Sequence, residues 1–349
     1  MAIAQLEKSP DEIVSCALAL ATPLKPSSLQ YLVDKPAFTE DSNAWFELLE
    51  FSNRNGTSAQ VARSALSSDW KSLIPLETAK ILQEKVHYDD ELRALVESEM
   101  NHSIQILLQY EISFALIKGL DLARRFYPSV QDRAVDAVDL LVSQSQNAAA
   151  LQVLIKNGYE ILETSQSHCV NLSRSAKGVR IRLYSSLSAL DNSTMAGEIW
   201  NRTEAASIPG LPKEVRALAR EDHIALLITE AAGNKNPSSP IFLNDLHCLI
   251  QGEKVDWEEL IWSLADRRAL SAGWFTFSVL HKEYLTDISE KALDSLAHSI
   301  NPAKKRSMEK TQLETEMSAE ELAWSDGIID RMRFGIQHGG NPFHSGRPR

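Results

Sequence analysis

The stretch FALIKGLDLARRFYPSVQDRAVDAVDLLV, residues 114–142, carries the pattern on which the fold turns. Ile112 to Ile117 is a short apolar run that ends in Lys118-Gly119, the signature of a buried strand meeting a turn. Leu120 to Tyr127 then spells a turn or two of helix, stopped by Pro128, because proline cannot continue a helix. Val138 to Val142 is a second apolar run. Strand, short helix and strand in quick succession predict a small α/β unit.

The pattern continues downstream. Ala148 to Lys156 is helical and ends at Asn157-Gly158, a favourable C-terminal cap. Val170 to Leu172 and Val179 to Tyr184 alternate with period two, as half-buried strands do. Residues 110–190 therefore read β-α-β-α-β-β. Upstream, residues 28–108 are helical in pattern. Trp45, Leu48, Leu49 and Ser52 fall at helical spacing, and Leu92, Leu95 and Met100 continue that type of stripe. Boundaries fall at Ser64–Leu66 and at Ile74-Pro75-Leu76. Helical spacing returns in Leu218–Ala232, Phe242–Ile250, Trp257–Ala265 and Ala272–Leu285, with breaks at Asn234–Pro240 and Gly252. The expected organisation is a helical region (1–108), an α/β core (109–200), a C-terminal helical domain (201–300) and a partly disordered tail (301–349). The tail holds an acidic helical stretch, Glu314–Asp326, and ends in HGGNPFHSGRPR.

Composition narrows the function classes. The net charge of −11, from 36 basic and 47 acidic side chains, makes free nucleic acid and anionic membrane poor default partners. Cys16, Cys169 and Cys248 are odd in number, far apart and without CxxC spacing, so they support neither a disulfide framework nor a zinc site. The apolar run Ile13–Thr22 is short and is preceded by Glu7, Asp11 and Glu12, where a signal peptide would be basic. No apolar stretch is long enough to span a bilayer. The expected location is the cytoplasm.

With its flanks, the 114–142 block resembles the nucleotidyltransferase superfamily of polymerase-beta type. More narrowly, it resembles a bacterial family of uncharacterised nucleotidyltransferases found near exopolysaccharide and modified-peptide biosynthesis genes. The residues that carry the resemblance are Ile117-Lys118-Gly119, Tyr127-Pro128, Arg133 and Asp139-Leu-Leu-Val142. Trp45-x-x-Leu48-Leu49, Asn157-Gly158-Tyr159, Leu243-x-Asp245-Leu246 and Asp256-Trp257 flank them, so it covers about residues 40–290. It implies an α+β fold, with a small mixed-sheet nucleotidyltransferase core between helical regions. It also implies Mg²⁺ and a nucleoside triphosphate as cofactors if the chain is active, and neither otherwise. Two carboxylates two apart on one strand share a face and hold Mg²⁺ against phosphates, and a third comes from a neighbouring strand. The glycine after the first strand, here Gly119, lets backbone approach phosphate.

The chain departs from that plan. The family's first metal carboxylate falls on Ala137 and its third on Arg182. Asp136 is one residue too early, so in a regular strand it points away from Asp139; a β-bulge would turn it inward. Asp139 and Asp136 are the candidate catalytic and metal-binding residues, as a weak pair. Asp139 is otherwise a residual hydrogen-bonding carboxylate, and Asp136 a surface charge. Lys118, Gly119, Arg133, Arg180 and Arg182 are the candidate nucleotide- or phosphate-binding residues. Against those roles, Lys118 reads as a solvated strand end and Arg133 as an ion-pair partner of Asp132 or Asp136. Arg180 and Arg182 share a strand face and read as partners of Asp139, the natural replacement for a metal. His168-Cys169, Asp222-His223 and His247-Cys248 read as packing or surface residues.

Loss of two carboxylates favours a catalytically degraded, nucleotidyltransferase-like protein that acts as a binding or accessory subunit in the biosynthesis of a modified peptide or polysaccharide. The alternatives are an active Mg²⁺-dependent enzyme that moves a nucleoside monophosphate to a small molecule or peptide, and a structural partner of a biosynthetic enzyme. The expected partners are a nucleotide, a partner enzyme or a peptide substrate, without membrane or nucleic acid.

Overall fold

The computed structural model describes residues 42–67, 74–166, 168–175, 178–187, 193–233, 240–251, 254–284 and 286–302, with Lys305, Arg306 and Met308. Cys16, the acidic stretch at 314–326 and the C-terminal histidines lie outside the described residues.

The N-terminal helices are α1 (Ser42–Arg54), α2 (Ser58–Ser67) and α3 (Leu76–Gln109). Trp45, Leu48 and Leu49 of α1 bury against Val61, Ala62 and Ala65 of α2 and Leu82 of α3. Pro75 caps the start of α3, where a missing N–H costs nothing. At 1.5 Å per residue the 34 residues of α3 run about 51 Å, long enough to serve two cores. Its first half packs on α1 and α2; its second half presents Val96, Met100, Ile104 and Leu107 to the sheet. Leu95, expected on the buried stripe, is exposed, because the sheet covers only the face that holds Val96 and Met100.

The core runs β1 (Phe114–Leu116), α4 (Gly119–Arg125), β2 (Ala137–Val142), α5 (Asn147–Lys156), β3 (Glu160–Gln166), β4 (Cys169–Ser173) and β5 (Arg180–Tyr184). After α6 (Ser193–Arg202), the two-residue strands β6 (Glu204–Ala205) and β7 (Arg216–Ala217) join the far edge. The sheet order is β3-β4-β5-β2-β1-β7-β6, with β2/β5 and β1/β7 parallel and the other pairs antiparallel. The architecture is α+β. Two features differ from the sequence reading. β3 is an additional strand whose sequence, EILETSQ, carries no apolar run and whose pairing with β4 shifts register twice. The sheet also extends past residue 200, since β6 and β7 are too short to leave a periodic signal.

One sheet face, with Val138, Leu140, Leu116 and Ile181, packs on α3 and α5. The other, with Ala115, Leu141 and Tyr184, packs on α6 and on α7 (Arg220–Gly233) through Ile199 and Leu226. α8 (Pro240–Ile250), α9 (Trp257–Asp266), α10 (Leu270–Glu283) and α11 (Glu290–Ser299) complete the C-terminal bundle with α7. Asp256 caps α9 by accepting the Glu259 N–H at 3.0 Å. A Cβ at Gly273 would lie 2.7 Å from Leu264, so glycine is what lets α10 close on α9. Leu122 and Tyr127 reach from the core into this bundle and join the two units. No helix among the described residues is long and apolar enough to cross a membrane.

Candidate functional site

A cleft of about 620 Å³ opens where the three units meet. Its floor is Lys118, Gly119, Arg133, Asp136, Asp139 and Arg182 of the core. Leu227, Glu230 and Ala231 of α7, with Phe242 and Asp245 of α8, form one wall. The N-terminal helices supply a wall that the sequence did not announce, with Asn53, Lys85 and Tyr88 among its side chains.

The register of β2 and β5 builds the centre. These strands are parallel and set Asp139 directly across from Arg182, on one face. Arg182 Nη1 lies 3.4 Å from Asp139 Oδ1, and its Nη2 donates to both oxygens of Asp136 at 3.0 Å. The alternation argument that sent Asp136 to the opposite face does not apply, because β2 begins at Ala137 and Asp136 precedes the ladder. Freed from the pleat, its carboxylate lines the cleft and reaches Arg182. Burial opposes the charge on Arg182, but Asp139 and Asp136 outweigh it and hold the guanidinium above the ordinary arginine pKa. Arg180, opposite Ala137, is exposed at the start of β5 and is not among the residues that line the cleft.

The other two core cations are paired as well. Arg133 donates from Nε and Nη2 to the two oxygens of Asp245 at 3.1 and 2.8 Å, a fork matched to a carboxylate. Its partner is therefore neither Asp132 nor Asp136. Asp245 also accepts the Tyr127 hydroxyl at 2.6 Å, while the Arg133 carbonyl accepts from Arg93 of α3 at 2.5 Å. Lys118 is no solvated strand end. Its ammonium bonds to Glu230 and, at 2.9 Å, to the Tyr184 hydroxyl.

The backbone at Lys118 is unusual. It has φ +55 and ψ −135, a conformation normally left to glycine. Gly119, the residue expected to supply the freedom, is the ordinary first residue of α4. The Lys118 N–H donates to His223 Nε2 at 3.0 Å. His223 is fully buried, and its Nδ1 faces Asp121 Oδ2 at 3.5 Å. Arg125 holds Asp121 in turn, at 3.2 Å. Burial pushes the Asp121 carboxyl up to about 7, against the pull of Arg125. Burial, then the nearby Arg125, Lys118 and Arg133, push His223 well below the usual imidazole range.

Sequence reasoning missed His223, Glu230, Tyr184 and Asp121 as parts of the site. His223 and Glu230 lie seven apart on α7, so they share a helix face, but nothing local says that the face meets Lys118. Asp245 stood out only as part of a flanking motif.

A family model described as an uncharacterised nucleotidyltransferase matches residues 41–284, from α1 to just beyond α10. The chain belongs to that nucleotidyltransferase family. No curated protein matches it. The family's name raises the question of Mg²⁺, which needs carboxylate oxygens turned toward one point. Here Asp136 and Asp139 turn theirs to Arg182, and Arg182 fills the ladder position opposite Asp139. No three His, Cys, Asp or Glu side chains among the described residues converge as a metal-binding group. The residues present do not fit a divalent cation.

Proposed function

We propose that this chain binds a phosphate-bearing ligand of the nucleotide class in the cleft without transferring it, and serves as an accessory subunit in the biosynthesis of a modified peptide or polysaccharide. The observation that carries this reading is the Arg182 guanidinium gripped by Asp136 and Asp139. The fixed cation is part of the protein, so no metal is needed to bring positive charge to the floor. The two arms of the grip differ. The Asp139 side chain is 3% exposed and that of Asp136 is 64% exposed. An exposed ion pair is worth only about 0–1 kcal/mol, so a phosphate can draw Arg182 off Asp136 at little cost while Asp139 keeps it anchored.

A second reading, an active Mg²⁺-dependent nucleotidyltransferase, is favoured by one observation. Asp136 reaches the cleft and gives Asp139 a carboxylate companion. Arg182 must then leave both.

Calorimetric titration with ATP, GTP, CTP and UTP, each with and without Mg²⁺, separates the readings. Binding of similar strength in both conditions, lost in Arg182→Ala, is the expected result. Binding that requires Mg²⁺ overturns it in favour of the active enzyme. No binding of any nucleotide overturns it in favour of a purely structural partner of a biosynthetic enzyme.

A further inference from the structure

We propose that His223 is a positioning residue that locks Lys118 in its strained backbone conformation and thereby delivers the lysine ammonium to the cleft. The inference rests on the reading above in one respect, that Lys118 faces the ligand.

The first observation is conformational. A lysine at φ +55 and ψ −135 costs of the order of a tenfold or greater population penalty relative to glycine, and persists only where its surroundings over-determine it. The second is where the constraint comes from. One helix, α7, grips Lys118 twice: His223 holds its backbone N–H and, two turns on, Glu230 holds its ammonium. Tyr184 on β5 takes a second ammonium proton and places its ring beneath the same group, 4.2 Å from centroid to Nζ. The unusual backbone and the aim of the side chain are thus set together.

The third observation is the chemistry of the imidazole. To accept the Lys118 N–H, Nε2 must be unprotonated. In a neutral imidazole the remaining proton then sits on Nδ1. Nδ1 faces the Asp121 carboxylate, which Arg125 orients from one turn along α4. Nδ1 makes no hydrogen bond, but negative charge on Asp121 3.5 Å away favours the tautomer that Lys118 requires. Arg125, Lys118 and Arg133 surround the ring with positive charge and oppose a second proton. Phe126 closes the pocket edge-on to the ring, with centroids 6.5 Å apart. A neutral packing residue could fill this space, but it would leave the buried Lys118 N–H without an acceptor.

Two measurements on the full chain test the clamp, and neither needs a nucleotide. Long-range ¹H–¹⁵N spectra of the labelled protein at neutral pH should show His223 with Nε2 unprotonated and Nδ1 protonated. The opposite tautomer, or an imidazolium, overturns the proposal. The second readout is the rate at which a pulse of amine-acylating reagent labels Lys118, followed by mass spectrometry. In His223→Leu, labelling should accelerate about tenfold, the population change expected when one hydrogen bond of this kind is lost. His223→Gln, whose amide oxygen can accept, should restore slow labelling. A folded His223→Leu that labels at the native rate overturns the proposal. If His223→Leu does not fold, the native tautomer decides. Should ATP fail to bind while both readouts hold, the function proposed above falls and the clamp stands. Should ATP bind while the tautomer is reversed, the clamp falls alone.

Discussion

Replacing Arg182 by alanine tests the centre of the cleft through cation affinity. The substitution leaves two carboxylates facing an empty volume. Asp136 is largely exposed and re-solvates at little cost, whereas Asp139 is nearly inaccessible and loses its cross-strand partner. Breaking a buried pair on one side costs about 3–5 kcal/mol. The lower end applies here, because Arg182 is itself partly exposed and Arg133 remains nearby to share the charge. The variant should therefore be about 3 kcal/mol less stable. It should also gain something that the native protein lacks, a pair of carboxylates open to a divalent ion. With a Kd of roughly 1 mM, about 10 mM Mg²⁺ stabilises the folded state by about 1.4 kcal/mol. In a chain of 349 residues that raises the melting temperature by roughly 2 °C. Thermal unfolding of both proteins with and without Mg²⁺, at matched ionic strength, checks this. The native protein should not respond and Arg182→Ala should. A native protein that responds as strongly would refute the argument, because it would mean that Arg182 does not stand where the cation goes.

Three further outcomes follow from the same geometry. Elsewhere in a protein glycine is commonly about 0.5–1 kcal/mol worse than alanine, but Lys118→Gly should match or exceed Lys118→Ala in urea denaturation, because only glycine relieves a backbone strain of about 1–3 kcal/mol. Asp245→Ala should cost about 3–5 kcal/mol, since it strands the buried Arg133 and the Tyr127 hydroxyl together; Asp245→Asn, whose one amide oxygen still accepts from Arg133 Nε and the Tyr127 hydroxyl while its NH2 loses the bond from Arg133 Nη2, should cost less than the alanine. Asp121→Asn changes the pH dependence of stability. A carboxyl raised from its ordinary value to about 7 stabilises the fold fully below the unfolded pKa, and this contribution is lost as pH rises through about 7. His223, held below its ordinary value, contributes in the opposite sense: its stabilisation is present above the unfolded imidazole pKa and fades as pH falls. The deficit of Asp121→Asn relative to the native protein should thus shrink as pH goes from 4 to 7, by a few kcal/mol at most. Chemical denaturation across that range measures it, and a deficit that grows with pH would contradict the assignment.

Much of this architecture is local in origin. Trp45, Leu48 and Leu49 fall at helical spacing because one stripe of α1 meets α2 and α3, and all three are buried. The runs at 112–117 and 138–142 read as strands because both faces of the central sheet are covered, one by α3 and α5 and the other by α6 and α7. Asp139 was legible as a candidate through the resemblance carried by Asp139-Leu-Leu-Val142, and it lies on the cleft floor. β3 was not legible, because it lies at the sheet edge, where alternation is not enforced.

The sequence by itself determined α4 and α5 of the core and its strands β1, β2, β4 and β5. Backbone torsions and side-chain periodicity encode such features over a few residues. Only the tertiary structure decided who neutralises whom. Asp136 enters the cleft because β2 starts one residue later, a boundary fixed by pairing with β5. Lys118 finds His223 and Glu230 more than a hundred residues away because α7 packs across the face that carries Tyr184. Arg133 finds Asp245 rather than an adjacent aspartate because α8 offers both carboxylate oxygens to its fork. A charge chooses its partner by distance and desolvation in the folded chain, and neither quantity is written in the spacing of residues along it.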